Sequence, residues 1–428
     1  MVSYGTAGST VWHVNTTKVG GGVAELIMTL TSEGHAGRFQ VARFVTNADP
    51  EVFAMTKRLH HWIHGVDRGT LPSPAEHRRY TAFAAENAER LIGAMSANDL
   101  VILHDPQTLA IAPLLLDAGF RVAWRCHIGT TSHNDVSSAA WNYLRTFLRL
   151  ELTLVFSDET LIPPVAREAS TIVIPPSINP SAIKNMPLTS AEIRQILAGN
   201  GLDGPQHVPA NQSARSVISE MSIGTDPVIL QVSRWDPLKD MTGVLIAFAE
   251  SALPRRAHLV LCGPSPADVA DDPEAAGVLS EIIVMREQLP AAIRRHVHIV
   301  CPVLTNEREN ALTVNALQRR AAVVTQKSLQ EGFGLTVTEA MWKARPVVAS
   351  KAGGICSQII DGVTGLLLDD PGDGDAFSRL VARILEDPAG AARLGRAAHR
   401  RVAEFFTLAR ELADHDRLYQ RLVSAVKE

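Results

Sequence analysis

The residues that most clearly suggest binding or catalysis are two glutamates, Glu331 and Glu339, on either side of a glycine-containing turn. An apolar predicted strand, 321–325, precedes this turn and a predicted helix follows it. Gly332 and Gly334 allow the backbone to approach a ligand closely and leave amides free at the helix N-terminus, which favours an anion or a sugar hydroxyl. We expect Glu339 about two turns into that helix. The pattern favours a site for a polyhydroxylated, phosphorylated molecule over a strand–turn–helix with solvated acids.

Two cations, Arg234 and Lys239, follow the predicted strand 228–232 and precede the next predicted helix. Arginine offers a bidentate fork and lysine a point charge, and this combination suits a diphosphate. A pair of solvated loop cations is an equally good interpretation of this segment taken alone.

Three consecutive glycines, 20–22, follow the first predicted strand and open the first predicted helix. Such a run suits close backbone contact with a phosphate or a sugar. It lacks the Gly-x-Gly-x-x-Gly spacing of dinucleotide-binding proteins, and we find no acidic residue placed for a nicotinamide ribose. A dehydrogenase is therefore the less favoured interpretation.

Two more predicted strands in the first half end in histidine-containing segments. His104 is followed by Asp105 and Gln107, and His127 follows Arg125. A single histidine at a strand end is more often structural than catalytic. Two of them facing one cleft shift that balance toward a functional role.

Short β-branched runs alternate with longer amphipathic stretches along the chain. This alternation predicts an α/β protein with two doubly wound parallel sheets, covered by helices and facing a cleft at the carboxyl ends of their strands. The pattern weakens over 176–226, apart from one helix near 190–197, so we predict domains at 1–175 and 227–405 joined by a linker or hinge. Strands are predicted at 11–14, 39–45, 100–103, 122–124, 152–156, 228–232, 258–262, 297–300, 322–325, 346–349 and 365–368.

Composition limits the classes of function. The chain has 428 residues, 46% of them hydrophobic and 20% charged, which is ordinary for a soluble globular protein. A net charge of −4 gives no general attraction to nucleic acid or an anionic membrane. The four cysteines include no Cys-x-x-Cys pair, which argues against a zinc site and fits a reducing cytosol. We recognise no secretory signal and no run of the ~18 apolar residues that a transmembrane helix needs.

The motifs resemble those of retaining glycosyltransferases of family 4, whose GT-B fold has two Rossmann-like domains. The general motifs are Ser233-Arg234-x-Asp-Pro-x-Lys239, Glu331-Gly-Phe-Gly-x-x-x-x-Glu339 and 351–355. More narrowly, the chain is similar to the trehalose glycosyltransferring synthases, which join glucose from a nucleoside diphosphate glucose to free glucose. The narrower similarity lies in 13–16, 19–25, 104–107, 125–128, 175–178 and 326–328. The resemblance also implies a terminal helix, about 406–428, that crosses back onto the N-terminal domain.

The resemblance implies a role for each matching residue, with UDP-, ADP- or GDP-glucose as donor, no required cofactor and no metal. Arg234 and Lys239 would neutralise the leaving diphosphate. Glu331 would bind hydroxyls of the transferred sugar, and His127 would contact that sugar near the reacting carbon. The anomeric configuration would be retained without a protein nucleophile, so that positioning and charge stabilisation supply most of the catalysis. The other implied donor contacts are Gly21, Gly22, Gly332, Phe333, Gly334, Leu335 and Glu339, and the implied acceptor contacts are Asn15, His104, Asp105, Gln107 and Asp135.

The chain departs from the resemblance where the acceptor should bind. An acidic residue is expected after Ile128, whereas this chain continues with Gly-Thr-Thr, and the segment 58–64 is unusually rich in histidine. An aminocyclitol or amino sugar therefore stays open as acceptor beside free glucose, its amine pairing with Asp105 and Asp135. Sugar-nucleotide binding without turnover and an epimerase of similar fold are the alternatives outside transfer. A cytoplasmic homodimer that binds only donor and acceptor, with no nucleic acid and no membrane, completes the expectations.

Overall fold

The structure is a computed structural model that describes residues 9–18, 22–33, 39–47, 49–67, 69–131, 133–167, 169–203, 216–266, 274–302 and 306–424. The chain forms two compact units. The first unit runs to Pro176 and takes in the chain again from Ala409. The second unit is continuous and spans Ser177–Leu408.

The first unit contains a parallel sheet whose strands are apolar and largely buried, as expected when helices cover both faces. Its strand order is β2-β1-β3-β4-β5-β6, so the sheet grows in opposite directions from β1 and β3. Ligands of open α/β sheets bind at such a switch point, outside the carboxyl ends of the strands. The strands are β1 Thr10–Asn15, β2 Gln40–Val45, β3 Leu100–His104, β4 Arg121–Cys126, β5 Thr153–Phe156 and β6 Thr171–Val173.

The helices of the first unit are fixed by local signals as well as by packing. Ser73 and Glu76 form a reciprocal capping box at the start of the longest of them. The terminal helix belongs to this unit from Ala409 onward, and its Leu418, Tyr419 and Leu422 pack against strand residues of the sheet. The helices are α1 Gly22–Glu33, α2 Pro50–Ile63, α3 Pro74–Ala94, α4 Asp105–Leu109, α5 Ala112–Asp117, α6 Asp135–Leu144 and, at the end of the chain, α16 Leu408–Ser424.

The second unit has a sheet of order β13-β12-β11-β8-β9-β10-β7, with its switch point between β8 and β11. Every adjacent pair is parallel except β10 with β7, which is antiparallel at the edge of the sheet. The strands are β7 Ser216–Ile218, β8 Val228–Val232, β9 His258–Cys262, β10 Val297–Cys301, β11 Val323–Gln326, β12 Val347–Ser350 and β13 Leu366–Leu368. The helices are α7 Ser190–Gly199, α8 Met241–Glu250, α9 Ala275–Gln288, α10 Ala291–Arg294, α11 Glu307–Arg320, α12 Leu335–Trp342, α13 Ile355–Gln358, α14 Gly374–Glu386 and α15 Pro388–Phe405.

The predicted fold class of two doubly wound parallel-sheet domains is confirmed. All eleven predicted strands are present within one or two residues, whereas β6 and the antiparallel β7 have no counterpart in the prediction. Both unpredicted strands are three residues long, and their described side chains are only partly buried, so neither gives a strong apolar signal. The region predicted as a linker is not separate from the second unit, because α7 within it packs Leu197 into that unit's core.

Candidate active site

The predicted donor-binding cations lie at the switch point of the second sheet. Lys239 ends a short 3₁₀ helix, Pro237–Lys239, that directly follows β8. Asp236 caps this helix by accepting a hydrogen bond from the Leu238 amide at 2.8 Å. Gln231 in β8 donates from Nε2 to the Lys239 carbonyl at 2.8 Å. Strand and cap together therefore fix the backbone from which the lysine projects.

The Glu331 carboxylate is held by three side chains. Lys239 Nζ donates to its Oε1 at 2.6 Å, and Ser328 Oγ donates to its Oε2 at 3.1 Å. Gln326 Nε2 lies 3.5 Å from the same Oε2. Glu331 is only 7% exposed, so the ion pair with Lys239 is shielded from bulk water. A buried, fully oriented carboxylate beside a cation is an arrangement that can hold sugar hydroxyls and a phosphate together.

Two glycines let the backbone fold tightly around this carboxylate. Gly334 has a φ of 87° and precedes the first residue of α12. Gly353 has a φ of 49°, and a Cβ there would lie 1.7 Å from the Glu331 carbonyl oxygen. The Val337 amide in the first turn of α12 donates to the Gly334 carbonyl at 3.0 Å. The amides of a helix N-terminus point along the helix axis, and such an end is a favourable place for an anion. Phe333, between these elements, is 5% exposed and packs into the core of the second unit.

Glu339 lies about one turn into α12 rather than the two turns we expected, because the helix begins only at Leu335. Its side chain is close to Lys184, with Nζ 3.4 Å from Oε1. Beneath it, Lys343 is buried and donates to Gln318 Oε1 at 2.7 Å and Asn185 Oδ1 at 3.0 Å. Burial lowers the pKa of Lys343 to about 7, although the nearby Glu339 carboxylate opposes that shift.

Arg234 and Gly332 complete the predicted donor residues of the second unit. The Arg234 side chain is 39% exposed, with Nη2 3.9 Å from Asp236 Oδ2. Gly332 accepts a hydrogen bond from the Gly354 amide at 2.7 Å, which ties the Glu331 loop to the segment after β12. The structure thus brings Lys239, Glu331 and the α12 N-terminus together, with Arg234 on the same loop as Lys239.

In the first unit, three histidines meet at the switch point. His13 lies in β1, His104 ends β3 and His127 follows β4. His13 Nδ1 is 2.9 Å from His104 Nε2, and His104 Nδ1 is 2.9 Å from His127 Nε2. Burial holds the pKa of His104 and His127 well below the usual range and lowers the pKa of His13 to about 3, so all three are neutral near pH 7.

Asp105 adopts a left-handed backbone, with φ at 61°, directly after His104. Its Oδ1 accepts a hydrogen bond from the His127 amide at 2.8 Å, and burial raises its pKa to about 6. A strained conformation in a non-glycine residue costs about 1–3 kcal/mol and is typical of functional sites. The structure therefore uses this carboxylate to place His127.

The other predicted acceptor residues fall into three situations. Asn15 is buried and braces the loop after β1, donating to the Thr17 carbonyl at 2.7 Å and accepting from Arg43 Nε at 3.0 Å. Gln107 has a buried Oε1 without a hydrogen-bond partner among the described residues. Asp135 is exposed at the first residue of α6.

Two predicted donor contacts belong to the first unit's sequence. Gly22 opens α1, whereas Gly21 lies outside the described residues.

Sequence reasoning missed the residues that orient these groups. Gln326 donates to Ser233 Oγ at 3.0 Å and Ser328 Oγ at 2.9 Å behind Glu331. In the first unit, Arg125 is fully buried and pairs with Glu411 of α16 at 2.8 Å. The one available signal was periodic: Glu411, His415 and Tyr419 recur every four residues and so share a helix face.

The described part of the chain holds no group of three His, Cys, Asp or Glu residues suited to a metal ion. No helix among the described residues is long and apolar enough to cross a membrane.

Comparison with known proteins defines the class. Residues 13–163 match the family model described as trehalose synthase, N-terminal domain, and residues 218–401 match that of the glycosyl transferases group 1. A crystal structure of an α,α-trehalose-phosphate synthase (UDP-forming) from Burkholderia xenovorans, in complex with glucose-6-phosphate, shares the fold at a TM-score of 0.72 and 14% identity, covering 97% of this chain and 100% of that one. Anabaena HepE in complex with UDP-glucose does so at a TM-score of 0.65 and 18% identity, covering 97% and 100%. The protein is a glycosyltransferase of GT-B fold, as the sequence predicts.

The narrower family follows from a curated relative. The chain is 32% identical to the trehalose synthase of Rubrobacter xylanophilus over 421 residues, covering 97% of this chain and 91% of the relative. The chain belongs to the trehalose synthase family of glycosyltransferases, which confirms the predicted resemblance.

Proposed function

We propose that this protein is a retaining glucosyltransferase that moves glucose from a nucleoside diphosphate glucose to free glucose and forms trehalose. The observation that carries the proposal is the Lys239–Glu331 pair at the switch point of the second sheet, 2.6 Å long and beside the N-terminus of α12. The trehalose synthase relatives favour free glucose over an aminocyclitol or amino sugar as acceptor, and the UDP-glucose complex of a structural neighbour supports a nucleotide-sugar donor.

In the proposed reaction the second unit binds the donor. Arg234 and Lys239 neutralise the diphosphate as the bond between the anomeric carbon and the phosphate oxygen breaks. Glu331, fixed by its three hydrogen-bond donors, binds hydroxyls of the transferred glucose, and Glu339 binds the nucleotide ribose. The amides that follow Gly334 stabilise the anionic diphosphate.

The first unit is proposed to supply His127 to the donor sugar and the acceptor-binding groups. Gln107 supports this assignment, since its buried, unpartnered Oε1 can accept a hydrogen bond from an acceptor hydroxyl. The acceptor hydroxyl forms the new bond to the anomeric carbon, and its proton passes to the departing phosphate oxygen on the same face. That route retains the anomeric configuration and needs no protein nucleophile.

The experiment offers UDP-, ADP- and GDP-glucose to the purified protein with and without free glucose, and identifies products by mass spectrometry and NMR. We expect α,α-trehalose and one equivalent of nucleoside diphosphate. Arg234→Ala should lower the rate, whereas Arg256→Ala, at an exposed pair with Glu386, should not. An aminocyclitol product would overturn glucose as acceptor. Donor consumption without an acceptor would overturn transfer in favour of epimerisation, and binding without turnover would indicate a non-catalytic protein.

A homodimer and a cytoplasmic location are family-level proposals with separate tests. Light scattering coupled to size-exclusion chromatography measures the mass in solution, and fractionation of the source cells measures the location. A monomeric mass would overturn the first proposal without touching the transfer reaction.

A further inference from the structure

The three histidines at the switch point of the first unit belong to a longer series of side chains joined by hydrogen bonds, the hydrogen-bond chain. His127 is joined through His104 to His13, with 2.9 Å at each step. His13 and His104 are almost fully buried, at 0% and 2% exposed, whereas His127 is partly exposed. The chain therefore ends, at one side, on the residue proposed to contact the donor sugar.

The other end of the chain runs along α16. His13 Nε2 is 2.8 Å from the hydroxyl of Tyr419, and that hydroxyl is 3.1 Å from His415 Nδ1. His415 Nε2 is 2.5 Å from Arg125 Nη1, and Arg125 Nη2 donates to Glu411 Oε1 at 2.8 Å. Every one of these side chains is buried.

Arg125 gives this chain a direction. A guanidinium only donates hydrogen bonds, so His415 Nε2 must accept. Burial beside Arg125 holds the pKa of His415 well below the usual range, and a neutral imidazole has one donor and one acceptor. His415 Nδ1 therefore carries the proton and donates to Tyr419. The Tyr419 hydroxyl, which burial keeps protonated by raising its pKa, then donates to His13 Nε2.

The same logic continues through the histidines. His13 accepts at Nε2, so its Nδ1 carries the proton and donates to His104 Nε2. His104 in turn donates from Nδ1 to His127 Nε2. His127 is left with Nε2 as acceptor and with a proton on Nδ1.

We propose that Arg125 and α16, acting through this chain, fix the tautomer of His127 so that its Nδ1–H is the donor to an oxygen of the transferred sugar. The proposal rests on the proposed function only for the identity of that oxygen. Tyr419, His13, His104 and His415 are positioning residues, because they act through His127. The terminal helix thereby contributes to catalysis as well as to packing.

The expected catalytic effect follows from losing one oriented donor. When one link of the hydrogen-bond chain is removed, neutral His127 is free to adopt the other tautomer. That tautomer presents a lone pair at Nδ1, where the sugar oxygen needs a hydrogen-bond donor. The loss of one hydrogen bond in the transition state lowers kcat about tenfold. Substrate affinity depends on many other contacts, so KM should change little.

The first test measures tautomers without any substrate. Histidine-selective isotope labelling and long-range proton–nitrogen NMR report which ring nitrogen carries the proton. Variants that each replace one histidine assign the signals. We expect protonated Nδ1 at His13, His104, His127 and His415 in the unmodified protein, and loss of that preference at His127 in Tyr419→Phe. A protonated Nε2 at His127 in the unmodified protein would overturn the proposal.

The second test compares two tyrosine variants kinetically. Tyr419→Phe should lower kcat about tenfold at nearly constant KM for glucose. Its matched control is Tyr143→Phe, which removes a hydroxyl that lies 3.2 Å from His77 Nδ1. This pair is not part of the hydrogen-bond chain, so kcat should stay unchanged. An unchanged kcat in Tyr419→Phe overturns the positioning role. Absence of transfer in the unmodified protein overturns the proposed function instead. The tautomer measurement then still shows whether the hydrogen-bond chain fixes the tautomer of His127.

Discussion

Lys239→Met tests two roles of this lysine, which are to neutralise the buried Glu331 carboxylate and to neutralise the leaving diphosphate. The pair is 2.6 Å long, and the two side chains are 14% and 9% exposed. Without the lysine, the carboxylate keeps Ser328 and Gln326 as its partners among the residues that the structure describes. A fully buried charge left unpaired costs about 3–5 kcal/mol, and residual solvent contact reduces that cost here to about 2–3 kcal/mol.

The same substitution removes a cation from the leaving diphosphate. Loss of one preorganised group that stabilises developing negative charge lowers kcat by about 10²–10³. Adding Glu331→Gln should restore much of the stability, because neither charge is then buried alone, with a coupling energy of about 1–3 kcal/mol. It should not restore the rate, since the diphosphate still lacks its lysine.

The assay follows thermal unfolding and initial rates for the two single variants and the double variant. At about 2–4 °C per kcal/mol for a unit of this size, Lys239→Met should lower the unfolding midpoint by several degrees. Arg256→Met, at an exposed residue of the same unit, is the control for loss of a surface cation. If Lys239→Met lowers the unfolding midpoint but keeps most of kcat, Lys239 stabilises the fold without neutralising the diphosphate, and the reasoning about the diphosphate is refuted.

Three further predictions follow from buried groups, two of them on stability and one on donor binding. Glu411→Ala should cost about 3–5 kcal/mol in urea unfolding of the first unit, because Arg125, at 0% exposure, would lose its carboxylate. Gly353→Ala should abolish donor binding measured by calorimetry, because its Cβ would lie 1.7 Å from the Glu331 carbonyl oxygen. Lys343→Met should flatten a rise in stability between pH about 7 and 10.5, since the folded protein releases this proton at about 7 whereas the unfolded chain keeps it to 10.5.

Each of these predictions has a control or a contradicting result. Glu386→Ala breaks a pair that is 59% exposed and should leave the urea midpoint almost unchanged. Gly362→Ala also replaces a glycine at positive φ but meets no atom within 4 Å, so donor binding should persist. Equal effects of the two alanines would assign the Gly353 effect to backbone strain alone. A pH profile that Lys343→Met leaves unchanged would show that another group titrates.

The sequence by itself determined the features that depend on local pattern. Buried parallel strands are covered on both faces, so they appear as short apolar runs that can be read without partners, as at Val228–Val232. Residues that follow such runs lie at the carboxyl edge of a sheet, and for this reason Lys239, Glu331, His104 and His127 could be predicted as candidate site residues. The glycines around Glu331 signalled the tight turn that the structure contains.

Only the tertiary structure decided which of these residues meet and what orients them. The partners of Glu331 come from β11 and from the segments that follow β8 and β11, two strands that are neighbours in the sheet but distant in sequence. Arg125 and Glu411 are separated by 286 residues and pair because the terminal helix packs on the first sheet. Local periodicity carries no information on such pairs, because a buried charge is recognised only when the group that neutralises it is brought beside it in the folded chain.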